Sequence, residues 1–381
     1  MLHQHQIKFA KGYKDKDLLV HEGGTGKSVC AAVWLHDGRD GDALVVCPKR
    51  IVKKWQETLE TWQTKATVVS KDGFKKLPPK QWSALIIDEA DEFASPLFTK
   101  ARSKLSEALY TLVKTYPDTP TLLLTATPIR STPWNLHSLM AFSGQYVDWK
   151  KWREAFFYLQ YPDYGKFRFL RRPAWMPRPD WRTKIRSVLE KNSDIVLLRD
   201  CVTELPAVEE KTIKLKSGKF PGTDEVEPRR RFVVEHLHEQ TIKPQEILRI
   251  AKGYRKVLVV AYYVEQVKVL EKELSKDRQT YAVWGETKNQ EEILKEANSV
   301  DECFLIVQAS LGSGFDADTF SCVVFASMSY AVRDFSQMKF RVRRIHNLHP
   351  VVYYYLIGGR CDKAVKDNVD LGRSFVPSEW K

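Results

Sequence analysis

The stretch HEGGTGKS at residues 21–28 follows a short apolar run, DLLV, and precedes a helix-forming segment. A glycine-rich turn between strand and helix lets backbone N–H groups close around phosphate oxygens, and the helix N-terminus adds favourable dipole charge. In such a loop Gly24, Thr25 and Gly26 carry the backbone and Lys27 reaches the β- and γ-phosphates. The Ser28 hydroxyl ligates magnesium. The strict form of the pattern has glycine five positions before Gly26, where this chain has His21.

A second group with chemical potential is SALIIDEAD, residues 83–91. It sets Asp88 and Glu89 at the C-terminal end of an apolar strand, the place where doubly wound sheets hold their ligands. Asp88 can hold the magnesium through water, and Glu89 can take a proton from an attacking water or orient it. Taken alone, the two acids would serve equally well to cap the following helix. A third strand, TLLLTATP at residues 121–128, ends in Thr125 and Thr127. Their hydroxyls can hydrogen-bond the acidic group and a phosphate backbone.

These residues need a scaffold that brings strand ends together. In the first ~140 residues, short apolar runs (DLLVHEG, DALVVCP, ATVVS, SALIIDEA, TLLLTATP) alternate with helix-period segments. In RIVKKWQETLETW, Ile51, Trp55, Leu59 and Trp62 fall on one helical face. Strand–helix alternation predicts right-handed crossovers and a parallel sheet covered on both sides. The rhythm returns after about residue 250, with KVLVVAYY, TYAVWG, CFLIVQA, SCVVFAS and VVYYYLIG as strands. The expected fold is α/β, with two such domains in tandem at 1–203 and 204–381.

Composition agrees with that size. The 381 residues are 43% hydrophobic and 29% charged, which suits a globular chain and excludes a disordered or collagen-like one. Lys plus Arg exceed Asp plus Glu by 61 to 48, a net charge of +13 that favours a polyanionic partner. The first residues lack the apolar core of a signal peptide, and no run approaches the ~20 apolar residues of a membrane span. The six cysteines are scattered, without a CxxC pair. A reduced, cytoplasmic setting with no membrane partner is expected.

Between the two α/β regions, about residues 142–192, lies a small insert expected to be helical. Over residues 148–186 it carries Lys150, Lys151, Arg153, Lys166, Arg168, Arg171, Arg172, Arg178, Arg182, Lys184 and Arg186. Trp149, Trp152, Tyr161, Tyr164, Phe167, Phe169, Trp175 and Trp181 are interleaved, and only four acids interrupt the stretch. Two readings remain open: phosphate neutralisation with base stacking, or a small helical core with solvated cations. A combination, aromatics inward and some cations such as Arg171 and Arg172 on nucleic acid, accounts for both features.

The ordered motifs resemble superfamily 2 helicases and translocases, and within them the Swi/Snf-like DNA-dependent ATPases. Leu2-His3-Gln4-His5-Gln6 is similar to an opening LxxHQ motif, which implies adenine recognition by Gln6. Residues 21–28 resemble the loop DExGxGKT, with His21 in place of the acid. VVCPKRIVKKW (45–55) resembles motif Ia, which implies that Lys49 and Arg50 touch nucleic acid. IIDEAD and LLTATP match motifs II and III, and Thr125 and Thr127 are expected at the nucleic-acid backbone. LLRDCVTELPAVEEKTIKL (197–215) is similar to the connector between the motor domains.

In the second half, VQASLGSGFDADTF (307–320) resembles motif V, implying Gly312, Gly314 and Asp316 at coupling positions and Ser310 on nucleic acid. FSQMKFRVRRIH (335–346) resembles motif VI, implying Gln337 at the nucleotide and Arg341 and Arg344 as arginines acting on the γ-phosphate. Phe340 and His346 stand where that motif has glycine.

The resemblance implies two RecA-like domains that bind ATP and Mg2+ and convert hydrolysis into movement along DNA. Duplex, forked or branched DNA is the expected partner. RNA remodelling, and a decayed motor that only grips nucleic acid, are the alternatives. No obligate protein partner follows from the sequence. The compact motif layout is similar to bacteriophage-encoded members acting in a bacterial cell.

Overall fold

The computed structural model describes residues 2–12, 16–39, 41–97, 102–129, 132–145, 147–161, 173–201, 207–215, 242–311, 315–328, 332–343 and 349–373. The chain forms two compact units, Met1–Cys201 and Val202–Arg373.

The described residues of the first unit form eight strands: β1 (Lys16–His21), β2 (Leu44–Cys47), β3 (Thr67–Ser70), β4 (Leu85–Asp88), β5 (Thr121–Thr125), β6 (Phe157–Gln160), β7 (Ala174–Pro177) and β8 (Asp194–Val196). Six of them make one parallel sheet in the order β3-β2-β4-β5-β1-β8. Side chains alternate between its faces, as the pleat requires. Leu18, Val20, Leu85, Ile87 and Leu123 join Leu109, Leu112 and Leu136 on one face. Leu19, Val45, Ile86, Leu122 and Leu124 join Trp34, Leu35, Trp55 and Leu59 on the other. Burial on both faces explains why these strands read as unbroken apolar runs.

The second unit repeats the plan with β9 (Val208–Lys214), β10 (Lys256–Ala261), β11 (Thr280–Val283), β12 (Cys303–Gln308), β13 (Cys322–Phe325) and β14 (Val351–Ile357). All six run parallel in the order β11-β12-β10-β13-β14-β9. Val257, Val259, Phe304, Ile306 and Val324 face one layer of helices. Leu258, Val260, Leu305, Val307, Val323 and Tyr353 face the other. Two six-stranded parallel sheets with helices on both faces are the tandem RecA-like architecture.

Two edge strands and a ribbon add to the elements expected from sequence. β8 closes the first sheet beside β1, and β9 closes the second beside β14. The insert is helical at both ends, Trp149–Phe156 and Trp181–Asn192, but between them β6 and β7 pair as an antiparallel ribbon. Asp148 caps the first insert helix, its carboxylate accepting from the backbone of Lys150 and Lys151 at 3.0 Å. Trp152, Phe156, Phe157 and Trp181 point inward and extend the main core. Among the described residues, no helix is long and apolar enough to cross a membrane.

Candidate nucleotide site

Parallel pairing aligns the C-terminal ends of β1, β5 and β4 at one edge of the first sheet. Val20 lies opposite Thr125, and Leu124 opposite Asp88. The segment after β1 therefore opens beside the acidic group after β4, with only β5 between them.

The turn after β1 is built for close approach. Gly24 and Gly26 adopt φ of 90° and 83°, a left-handed conformation costly for residues with a Cβ. A Cβ on Gly26 would also lie 2.5 Å from the Gln6 side-chain nitrogen. The Gly26 carbonyl then accepts from Val29 N at 3.0 Å and Cys30 N at 3.2 Å, starting the helix Lys27–His36. Thr25 is fully buried and its hydroxyl donates to the Glu22 carbonyl at 2.8 Å, so its side chain fixes the turn. Lys27 Nζ reaches back across the loop and donates to the His21 carbonyl at 2.8 Å. Ser28 is half-buried on the first helical turn.

The helix Gln4–Gly12 is tied to this loop. Gln6 is buried, its Oε1 accepting from His3 N at 2.9 Å, and His5 Nε2 hydrogen-bonds the Thr25 carbonyl at 2.8 Å. From the other side, β8 holds the start of the loop. His21 is fully buried and its Nε2 bonds the Asp194 carboxylate at 2.8 Å. Glu22 N donates to the Val196 carbonyl at 2.9 Å, and Leu198 N donates to the Glu22 carboxylate at 2.8 Å. Asp194 thus places a carboxylate beside the position where the resembling loop carries its own. Burial, the largest influence, lowers the His21 pKa in spite of Asp194.

Asp88 is buried at the end of β4. Its Oδ2 accepts from Trp55 Nε1 at 2.9 Å and its Oδ1 from Glu89 N at 2.9 Å. Burial pushes its carboxyl up from the ordinary range and Glu89 adds to this, while Lys27, Trp55 and Lys71 act in the opposite sense. A buried carboxylate disfavoured in this way is stabilised strongly by a cation delivered to it. The Ser28 hydroxyl and the Asp88 carboxylate are oxygen donors of the kind that could hold Mg2+ together with phosphate oxygens and water.

Glu89 has φ 51° and ψ 53°, left-handed for a residue with a side chain. That conformation costs roughly 1 kcal/mol and is held from several directions. Glu89 N donates to Asp88, its carbonyl accepts from Glu92 N at 3.1 Å, and Lys71 Nζ lies 3.4 Å from the same carbonyl. Lys71 also pairs with the Glu92 carboxylate at 2.8 Å. Glu89 Oε2 is buried and has no hydrogen-bond partner among the described residues.

The Thr125 hydroxyl donates to Asp91 at 3.0 Å and accepts from Thr127 N at 3.0 Å. It braces the acidic loop through Asp91 instead of Asp88. Thr127 is buried. Lys49 and Arg50 are exposed on the 3-10 turn Lys49–Ile51 after β2, at the same edge of the sheet.

In the second unit, Ser310 is exposed on the turn Ala309–Leu311 after β12. Asp316 is exposed, and its carbonyl accepts from Asn298 Nδ2 at 2.9 Å. Gln337 and Phe340 are buried on the helix Val332–Val342. The Phe340 ring thus fills core space where the resembling motif has glycine. Arg341 donates to the Phe315 carbonyl at 3.1 Å, and Ala317 N donates to the Arg341 carbonyl at 3.0 Å. Arg341 therefore bonds the segment that follows Gly314. Gly312, Gly314, Arg344, His346, Arg171 and Arg172 lie outside the described residues.

Sequence reasoning missed Trp55 as a partner of Asp88, Lys71 behind Glu89, and Asp194 behind His21. Trp55 carried a signal, since its indole N–H needs a partner wherever it is buried. Asp194 carried none, being 173 residues from His21.

Residues 241–346 match the family model described as the helicase conserved C-terminal domain. No curated protein matches the chain. Among solved structures the chain is similar to the Sulfolobus solfataricus SWI2/SNF2 ATPase core in complex with dsDNA. That alignment has 15% identity and a TM-score of 0.45, and covers 100% of this chain and 94% of the other.

Proposed function

We propose that this chain, whose residues 241–346 match the helicase conserved C-terminal domain, is a superfamily 2 protein of Swi/Snf-like type and works as an ATP-driven DNA translocase or remodeller. The observation that carries the reading is the meeting of a glycine loop bearing Lys27 with the buried Asp88 and the adjoining Glu89 at one edge of one sheet. A triphosphate on the loop would replace the His21 carbonyl as the acceptor for Lys27. The Gly24–Gly26 backbone holds the phosphate chain, and the packing of Gln6 against Gly26 places its amide near the base. Mg2+ on Ser28 and Asp88 would supply charge neutralisation to the phosphates. Glu89 orients the attacking water and accepts its proton at the buried carboxylate.

In this reading Gln337, Arg341 and Arg344 act on the nucleotide during turnover, and the exposed Lys49, Arg50 and Ser310 track the nucleic-acid backbone, while Thr125 and Thr127 are buried and brace the strand end. Both assignments rest on the sequence resemblance. The net charge of +13 supports a polyanionic track. We assign duplex, forked or branched DNA as the substrate and the cytoplasm as the setting.

The test is ATP turnover measured without nucleic acid and with single-stranded, duplex and forked DNA and RNA. Stimulation is expected from DNA and largest with forks. Larger stimulation by RNA would redirect the reading, and none from any polymer would end it.

A further inference from the structure

We propose that the insert ribbon is a stacking platform for an unpaired nucleic-acid strand, with Trp175 as its base-binding surface and Arg153, Lys150 and Lys151 as its phosphate contacts. This rests on the motor reading for the identity of the polymer and adds a substrate element, a single-stranded arm.

The ribbon begins inside the core and runs out of it. Phe157 pairs with Pro177 and Leu159 with Trp175, so all four side chains fall on one face of the ribbon. At the inner end Phe157 is 2% exposed and stacks on Trp134 with centroids 4.6 Å apart. Two residues further out, on the same face, Leu159 is 38% and Trp175 41% exposed, and Tyr161 just beyond reaches 63%. The other large exposed hydrophobics among the described residues, Ile7 and Val208, stand elsewhere in the sequence. An apolar stripe gathered this way marks a binding surface.

The charges beside the stripe select the occupant. The Arg153 guanidinium lies 4.3 Å from the Trp175 ring centre and 5.0 Å from that of Trp149. Its Nε is buried and has no hydrogen-bond partner among the described residues. Lys150 sits 5.9 Å from the Trp149 ring, and it and Lys151 are exposed. Further along the insert Lys184 pairs with Asp180 at 2.9 Å and Arg186 with Glu190 at 3.0 Å. Arg153, Lys150 and Lys151, which have no carboxylate partner among the described residues, are interleaved with indoles and complement a strand that offers phosphates and aromatic faces together. A duplex keeps its base faces stacked internally, so only an unpaired strand can use Trp175.

The experiment compares binding of oligo-dT, a duplex with a single-stranded tail, and a blunt duplex by the intact protein and its variants. Trp175→Ala should weaken oligo-dT and tailed duplex about 5- to 100-fold, the range for one lost base stack. Blunt duplex affinity and ATP turnover without DNA should stay unchanged. Trp175→Phe should restore most of the affinity, which separates stacking from damage to the fold. Arg153→Ala should lower affinity and flatten its salt dependence. Equal oligo-dT binding by Trp175→Ala, equal loss on blunt duplex, or Trp175-dependent binding of poly-glutamate at matched affinity would each overturn the proposal. None of these outcomes bears on whether DNA stimulates ATP turnover, which decides the motor reading separately.

Discussion

The Trp55 indole donates to the Asp88 carboxylate at 2.9 Å, joining the helix Val52–Thr61 to the end of β4. This bond favours the ionised form of a carboxyl that burial and Glu89 push toward protonation. The helix after motif Ia thereby helps keep the proposed magnesium ligand charged.

Trp55→Phe keeps the packing and removes the donor. A hydrogen bond to a charged group contributes about 1.5–3 kcal/mol, so kcat/KM should fall roughly 10- to 100-fold. The Asp88 carboxyl should then hold its proton to higher pH, moving the acid limb of the pH–rate profile upward. An acid limb that stays in place would reduce Trp55 to a packing role.

Glu89→Gln should keep nucleotide binding while turnover falls by at least about a hundred-fold, the scale of general-base assistance. Lys71→Met should also lower kcat with little change in nucleotide affinity, because it loosens the Glu89 backbone, and Lys71→Arg should recover part of the loss. Binding measured with a fluorescent nucleotide and turnover by phosphate release separate these effects. Loss of nucleotide affinity in Glu89→Gln would remove the residue from that role.

His21→Asp would restore the acid that begins the resembling loop, but it sets a buried carboxylate against the half-buried Asp194. We expect a drop of several degrees in Tm, largely recovered when Asp194→Asn is added. The parent protein should also be acid-sensitive here. Burial holds the His21 pKa below its usual 6.5, so as pH falls the unfolded chain takes up the proton first. Stability is then full above the ordinary histidine value and declines below it. Thermal melts across that range, with His21→Asn flattening the decline, check the sign.

Arg344→Ala should lower kcat by roughly a thousand-fold while leaving most DNA affinity intact, as for a group acting on the transition state. Arg341→Ala should in addition lower Tm, since it breaks the bond to the Phe315 carbonyl. Turnover, DNA titration and a melt distinguish the two arginines. A loss of DNA affinity exceeding the loss of rate in Arg344→Ala would mark a backbone contact.

The central strands and the glycine loop were legible because their signals are local. Burial on both faces writes continuous apolar runs, and a loop shaped for phosphate needs Gly24 and Gly26 within a few residues of Lys27. Edge elements left no such mark. β9 reads VEEKTIK because almost all its side chains are exposed, and charged edges of this kind discourage pairing with other chains. β8 has three residues, beginning with an aspartate that serves His21. The ribbon was hidden by its aromatics, which suit core and surface alike. Partners such as Trp55–Asp88 and His21–Asp194 exist only after the chain has folded back on itself.

The second insert helix, Trp181–Asn192, runs through Ser193 directly into β8. β8 grips the glycine loop through Asp194 on His21 and through the Val196 carbonyl on Glu22. Ribbon and glycine loop are therefore joined by a single helix, and a change that displaces Trp181–Asn192 would reach the Asp194 bond to His21.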